Sequence, residues 1–512
     1  MHVPRLVSLR RARWLSAPVT ALLALGMVPA EEALPIDPSV PITSANVDLV
    51  FNLPDAGAIS AAVSPSEPVL VVSTLHGVDI YDISDPRLPV PMGTQPLPIW
   101  ENEGMDYGER ENGTKFVVVG YDDGGYSQLG WFPEMFVDGT ATTPLSRLAV
   151  VDVTNPMLPT IASTIQLGSG THTLSCVNAA CTHVYSSGEG SFSIVDLTDI
   201  SNPVEVDTHA GMIGLSHDWD LDGAGILWNV GIEGLAAYDV SDPVNPVILN
   251  SSTSEGNWDY PLLPGEEPRG EWNNYVLHNS HRPHARAFSP HKGGGWRADE
   301  LGLGEVLLLT EEDYGTKPCA TAGSFQTWHV PALDPAINPD GVRGGGTVEP
   351  LDLWVPELLD GSTDVPAVGA FCSAHYFDYH QEGFVAQAWY QQGVRLLDVR
   401  DPRDIQQIGW FFTGASEAWD AYWIPQRDEA GRTIVDATGE TVKTNIVYVL
   451  DAVRGLDVLQ VDLPETDRKN TKGKRAPVHP KWTEASAEEQ QAIEDRKDPV
   501  WSFACPLPLR TN

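Results

Sequence analysis

Ser216-His217-Asp218-Trp219-Asp220-Leu221-Asp222-Gly223-Ala224-Gly225-Ile226-Leu227-Trp228-Asn229-Val230-Gly231-Ile232-Glu233-Gly234-Leu235-Ala236-Ala237-Tyr238-Asp239-Val240-Ser241-Asp242-Pro243 is the stretch whose reading decides the fold. Residues alternate from His217 to Leu221, Asp222-Gly223 carries hairpin-turn chemistry, and alternation resumes from Ile226 to Val230. Gly234 opens a third run that ends at Asp239, and Ser241-Asp242-Pro243 stops it, because proline has no N–H to give to a ladder.

The ending of that third run is written again along the chain. It appears as Tyr81-Asp82-Ile83-Ser84-Asp85-Pro86, Val151-Asp152-Val153-Thr154-Asn155-Pro156, Val195-Asp196-Leu197-Thr198-Asp199 and Leu397-Asp398-Val399-Arg400-Asp401-Pro402. Degenerate copies lie at Trp328-His329-Val330 and near Val458 to Asp462. Asp152, Asp196 and Asp239 are 44 and 43 residues apart. A period of that length with four strand-like runs is the signature of a propeller blade. Seven units follow: about 56–100, 101–168, 169–212, 214–254, 281–365, 372–414 and 415–462. Insertions at about 121–145, 255–280, 290–304, 333–368 and 425–444, rich in Gly, Pro or charge, account for the longer gaps. The seventh unit has no fourth strand of its own, whereas Asn46 to Pro54 reads like one. That N-terminal strand is expected to complete the last blade and remove an exposed sheet edge. The expected organisation is a signal peptide at 1–30, a linker at 31–45, an all-β seven-bladed propeller at 46–462 and a charged, Pro-rich extension at 463–512, with a short helical stretch near Glu484 to Arg496.

These Asp-Val-Ser-Asp-Pro endings, each preceded by a glycine and an alternating run, resemble the LVIVD repeats of exported prokaryotic proteins. The resemblance covers about 46–462 on at least five good copies and implies the same seven-bladed propeller. It implies little about chemistry.

Composition narrows the partners. The net charge of −39 argues against nucleic acid and anionic membrane surfaces. The 41 prolines and 46 glycines favour many turns over long helices, and 42% apolar residues suffice for a large core. Arg5, Arg10, Arg11 and Arg13, the apolar Ala17 to Val28 and the small-residue site Val28-Pro29-Ala30 have the form of a secretory signal, and no later stretch is long enough to span a bilayer. A secreted or periplasmic location is expected. Five cysteines fit an oxidising compartment: Cys176 with Cys181 and Cys319 with Cys372 are the plausible pairs, leaving Cys505 over.

Aligning the units on their terminal Asp sets one position at the head of each first strand. His217, His375 and His172 fall 22, 23 and 24 residues before Asp239, Asp398 and Asp196. The fifth unit offers His284, with His278 and His281 as competitors. A residue three positions on recurs, from His217 to Asp220, His375 to Asp378, Glu103 to Asp106 and Glu417 to Asp420, which puts Glu103 and Glu417 in the same slot of units two and seven. The first unit has Ile59 or Ser60 there. The third-position aspartate is expected to cap a hairpin or bond a neighbouring backbone. First strands line a propeller's channel, so His172, His217, His284 and His375, flanked by Glu103 and Glu417, should converge. Imidazoles and carboxylates without a thiolate suit a first-row transition metal, iron(II) before copper or zinc. Such a set is similar, in geometry alone, to the iron centre of carotenoid-cleaving dioxygenases, also seven-bladed propellers. This fold-level analogy carries no activity by itself.

Other motifs weigh less. Asp218-Trp219-Asp220-Leu221-Asp222-Gly223 matches the start of a calcium loop, but Asn229 stands where the twelfth-position glutamate belongs, and a strand with an Asp-Gly turn explains it better. Glu311-Glu312-Asp313 ends a strand as an acid beside the site, a cation site or a solvated loop. Trp131, Trp258, Trp272, Trp296 and Trp389 read as blade core before glycan cleft. No Gly-x-Ser-x-Gly elbow, phosphate loop or dinucleotide fingerprint occurs. The expectation is an exported metal-dependent oxidoreductase or oxygenase acting on a small molecule or glycan. The alternatives are a non-catalytic binding propeller and, more weakly, a calcium-stabilised hydrolase.

Overall fold

The computed structural model describes residues 41–54, 57–97, 103–121, 147–169, 171–187, 189–231, 234–252, 276–288, 301–312, 323–333, 348–356, 373–413 and 416–464. The expected signal peptide, the expected helical stretch near Glu484, Cys319, Cys372, Cys505, Trp131, Trp258, Trp272 and Trp296 lie outside them. The described residues form an all-β, seven-bladed propeller of four-stranded antiparallel units.

Blade 4 is the stretch quoted above: the end of Val204–Leu221, then Ile226–Gly231, Gly234–Asp239 and Val247–Ser251. Val204–Leu221 is one continuous strand, serving as the outer strand of blade 3 and then the inner strand of blade 4. Middle strands such as Val69–Thr74 are buried at every position. Neighbouring blades cover both their faces, so their sequences are unbroken apolar runs rather than alternating ones. Outer strands such as Thr160–Gln166 are half exposed and take Thr, Ser and Gln. Cores form between blades: Val71 and Ile80 of blade 1 pack with Val117 and Val151 of blade 2.

The ring closes as the sequence predicts. Val47–Leu53 pairs with Gly455–Val461 as the fourth strand of blade 7. Leu70 and Tyr81 of blade 1 then pack against Tyr448 and Val458 of blade 7. Ile42–Thr43, inside the segment read as a linker, adds a fifth strand to blade 6 beside Phe411 and Phe412. Two residues carry no periodicity, so this pairing leaves no sequence signal.

The repeated ending has a physical meaning. The Oδ1 atoms of Asp82, Asp152, Asp196, Asp239 and Asp398 each accept the N–H two residues on, at 2.7–3.0 Å. The second Asp or Asn repeats this: Asp85, Asn155, Asp199, Asp242 and Asp401 each accept from their own i+2 amide at 3.0–3.2 Å. Two nested Asx-turns thus release each third strand into its outer connection, and that is why the motif is Asp-x-Ser/Thr-Asp/Asn-Pro. A disulfide joins Cys176 to Cys181 across the first hairpin of blade 3. No described helix is long and apolar enough to cross a membrane.

The fifth blade departs from expectation. Its inner strand is Val276–His281, which begins ahead of the expected start of the unit at 281, and Ala285–Ala287 is a 3-10 turn. The 425–444 insertion folds back with short bridges at Arg427 with Thr433 and Val435 with Thr441. It meets that turn through Arg286 N–H to Thr438 O at 3.1 Å.

Candidate metal centre

The inner strands carry a common irregularity at their heads. In blade 4 Ser216 pairs with Gly231 and Asp218 with Val230, which leaves His217 in a bulge. In blade 5 Leu277 pairs with Glu311 before the register shifts, and His278 follows it. In blade 3 the His172 N–H reaches Ser187 O while Ser187 N–H reaches Thr173 O. Blade 6 repeats this with His375, Tyr376 and Ala388. A bulge re-aims a side chain out of the pleat, and four blades use it to present a histidine.

These side chains meet. Glu103 Oε2 lies 3.4 Å from His172 Nε2, 3.7 Å from His217 Nε2 and 3.5 Å from His278 Nε2, and Glu103 Oε1 lies 3.3 Å from His375 Nε2. His172 and His217 face each other Nε2 to Nε2 at 3.1 Å. Glu103 with His172 and His217, Glu103 with His278 and His375, and His217 with His278 and Glu312 each form a trio able to hold one ion. Nitrogen ligands about 2.0–2.1 Å from a common ion stand roughly 2.9–3.4 Å apart, so the 3.1 Å between His172 and His217 suits one cation. All five side chains of the ring are buried.

Backbone carbonyls set the tautomers. His217 Nδ1–H donates to His278 O at 2.9 Å, and His375 Nδ1–H donates to Trp419 O. A carbonyl only accepts, so the proton sits on Nδ1 and the Nε2 lone pair faces the centre. Burial pushes the His217 imidazole well down, helped by His278 and His172. Burial likewise takes His278 to about 3, with His375 adding to it. Burial alone would raise the Glu103 carboxyl, but the neighbouring His172 and His375 hold it well below the usual range. Both ring nitrogens of His278, and Oε2 of Glu103, lack a well-formed hydrogen bond. An ionised carboxylate among inward lone pairs costs several kcal/mol in a buried site unless a cation joins it. The donor set therefore fits a transition-metal ion.

Two expected ligands stand outside those trios. His284 caps the 3-10 turn at φ 57°, with Nδ1 2.8 Å from Thr438 Oγ1 and Nε2 3.2 Å from Tyr379 Oη. His278 takes its place, because the unit begins five residues before the assumed start at 281. The missed signal was His278 with His281 three positions on, the same spacing as His217 with Asp220. Glu417 is buried but belongs to none of the ion-holding trios. In blade 7 Ala418 pairs with Asp451 and Asp420 with Leu450, so Trp419 is the counterpart of His217 and Glu417 lies two residues early. Ile59 is the counterpart in blade 1. Glu312, read as an acid beside the site, a cation site or part of a solvated loop, stands beside His217 and His278 and accepts a hydrogen bond from Tyr390 Oη.

Two of the third-position aspartates tie blades together. Asp106 Oδ2 accepts from Cys176 N–H at 2.8 Å in blade 3, and Asp378 Oδ2 accepts from Trp423 N–H at 2.9 Å in blade 7. The calcium-loop start is used otherwise: Asp222 accepts from Ala224 and Ile226 N–H, Trp228 Nε1 and Arg282. Trp389 is blade core.

No family model matches the chain, and no curated protein matches it. Among solved structures it is similar to the Myceliophteria thermophila Cps50 (Swd1) β-propeller domain, at 10% identity over 81% of this chain and 100% of that one, with a TM-score of 0.48.

Proposed function

We propose that this chain is an exported, transition-metal-dependent oxidoreductase of the LVIVD-repeat kind, with one ion held by His172, His217, His278 and His375 beside Glu103. The observation that carries the reading is a buried carboxylate within 3.7 Å of four imidazole Nε2 atoms, two of them with lone pairs turned inward by backbone carbonyls. Four neutral nitrogen donors and one carboxylate leave room on a six-coordinate ion for a small exogenous ligand, and iron(II) or copper suits them better than calcium, which prefers an all-oxygen shell. The ion would supply a redox couple and a place for oxygen or substrate. The chain's share is to orient the imidazoles, exclude water and balance charge through Glu103. A glycan or other small molecule is the expected substrate class, and the Cys176–Cys181 disulfide supports an oxidising compartment.

Elemental analysis with an electronic spectrum of protein purified without chelator tests this. The reading expects close to one equivalent of iron or copper, lost in His217→Ala. Under about a tenth of an equivalent, unchanged by that substitution, would leave a non-catalytic propeller.

A further inference from the structure

Tyr390 has a backbone φ of 40°, in the left-handed region that a buried aromatic residue occupies only under constraint. It is held there from two sides. Tyr390 N–H reaches Ala418 O and Ala418 N–H reaches Tyr390 O, both at 3.0 Å, and Gly393 N–H adds a third bond to Tyr390 O at 3.0 Å. Blades 6 and 7 are thus stitched together at one strained residue. The strain carries its phenol to blade 5, where Oη donates to Glu312 Oε1. The Tyr390 ring also lies 4.7 Å, centroid to centroid, from the His375 imidazole. Glu312 in turn has an oxygen within 4.8 Å of ligand nitrogens of His217 and His278. Both Tyr390 and Glu312 are fully buried. The ring itself packs with Ile59, Trp419 and Ala452, an apolar niche that phenylalanine would fill equally well. What the hydroxyl adds is a hydrogen-bonded proton acceptor on one side and a ligand imidazole on the other.

We propose that Tyr390 is a redox-active side chain of this centre, an inference that rests on the metal-site reading above. Tyr390 gives one electron to the ion in its higher oxidation state, which falls by one level. The phenolic O–H bond breaks, an O–H bond forms on Glu312, and a neutral phenoxyl remains in contact with His375. Keeping the proton on Glu312 avoids a buried phenol cation, and a one-electron reductant returns the pair to its starting state with the proton back on Tyr390. The oxidant is the metal ion itself, raised by dioxygen in use and by a substitution-inert one-electron oxidant in the laboratory.

The experiment loads full-length protein with iron or copper, measures metal content, adds the oxidant, freezes the sample and records both the electron paramagnetic resonance and phenoxyl absorption signals. The expected result is a phenoxyl in the wild type, lost in Tyr390→Phe, reduced in Glu312→Gln and unchanged in Tyr376→Phe. Metal content should be equal in the wild type and the two Tyr→Phe variants, and the Glu312→Gln signal is read per bound metal. Metal-loaded protein without a phenoxyl, or a signal that survives Tyr390→Phe, overturns the proposal and leaves the metal centre standing. A wild type that takes up no metal overturns both.

Discussion

The Nε2 atoms of His172 and His217, 45 residues apart in the chain, face each other at 3.1 Å. Because His217 carries its proton on Nδ1, held by His278 O, its Nε2 offers a lone pair toward His172. Two such nitrogens at that distance either share one proton or share a cation. The neighbouring Glu103 carboxylate stabilises either arrangement, and the proposed function takes the second.

That relationship separates His278 from His284 as ligands. His278→Ala should weaken metal binding by more than the roughly 10–100-fold that loss of a group behind a ligand costs. His284→Ala and Glu417→Gln should retain the ion. Competition titration against a chelator of known affinity reads all three, and equal loss in His278→Ala and His284→Ala would contradict the assignment.

A pH dependence is expected at the other level of the inner strands. His281 Nε2 lies 3.3 Å from Glu440 Oε2, and its Nδ1 lies 3.8 Å from Asp220 Oδ2. Burial disfavours the imidazolium, but Glu440, then Asp220 and Asp378, outweigh it and raise the pKa to about 9. A histidine with a raised folded-state pKa stabilises fully below its unfolded value of about 6.5, and the stabilisation is lost as pH rises through about 9. His281→Gln should therefore lower unfolding free energy near pH 6 and make little difference near pH 10. Denaturant titrations at the two pH values check this, and a deficit that grows with pH would refute it.

The nested Asx-turns give a smaller, local effect. Asp239→Ala removes the acceptor of the Ser241 N–H at 2.9 Å and should cost about 0.5–1.5 kcal/mol, whereas Asp239→Asn keeps the acceptor and most of that stability. Urea unfolding of the two variants compares them directly.

The blades were legible because their punctuation is chemical: a side-chain acceptor two residues before an amide, then a proline. Middle strands were less legible: Ile226 to Val230 reads as alternating, yet Leu227 to Val230 are buried throughout. The site was half legible. His172, His217 and His375 stand at comparable distances from their terminal Asp, so counting back finds them. His278 stood only as a competitor of His284 because His329 stands where its unit's Asp should be and a long insertion breaks the count. Glu417 was misplaced because its spacing to Asp420 imitates that of His217 to Asp220, while strand pairing shifts blade 7 by two residues. Tyr390 has no sequence signal at all: its role comes from a positive φ and from an acid in another blade.

X-ray absorption at the edge of the bound metal tests the central claim most directly. Four imidazole nitrogens at about 2.0–2.2 Å, with the outer-ring scattering of histidine and one shell atom lost in His278→Ala, is the predicted result. An ion surrounded only by oxygen, or a shell indifferent to that substitution, would contradict it.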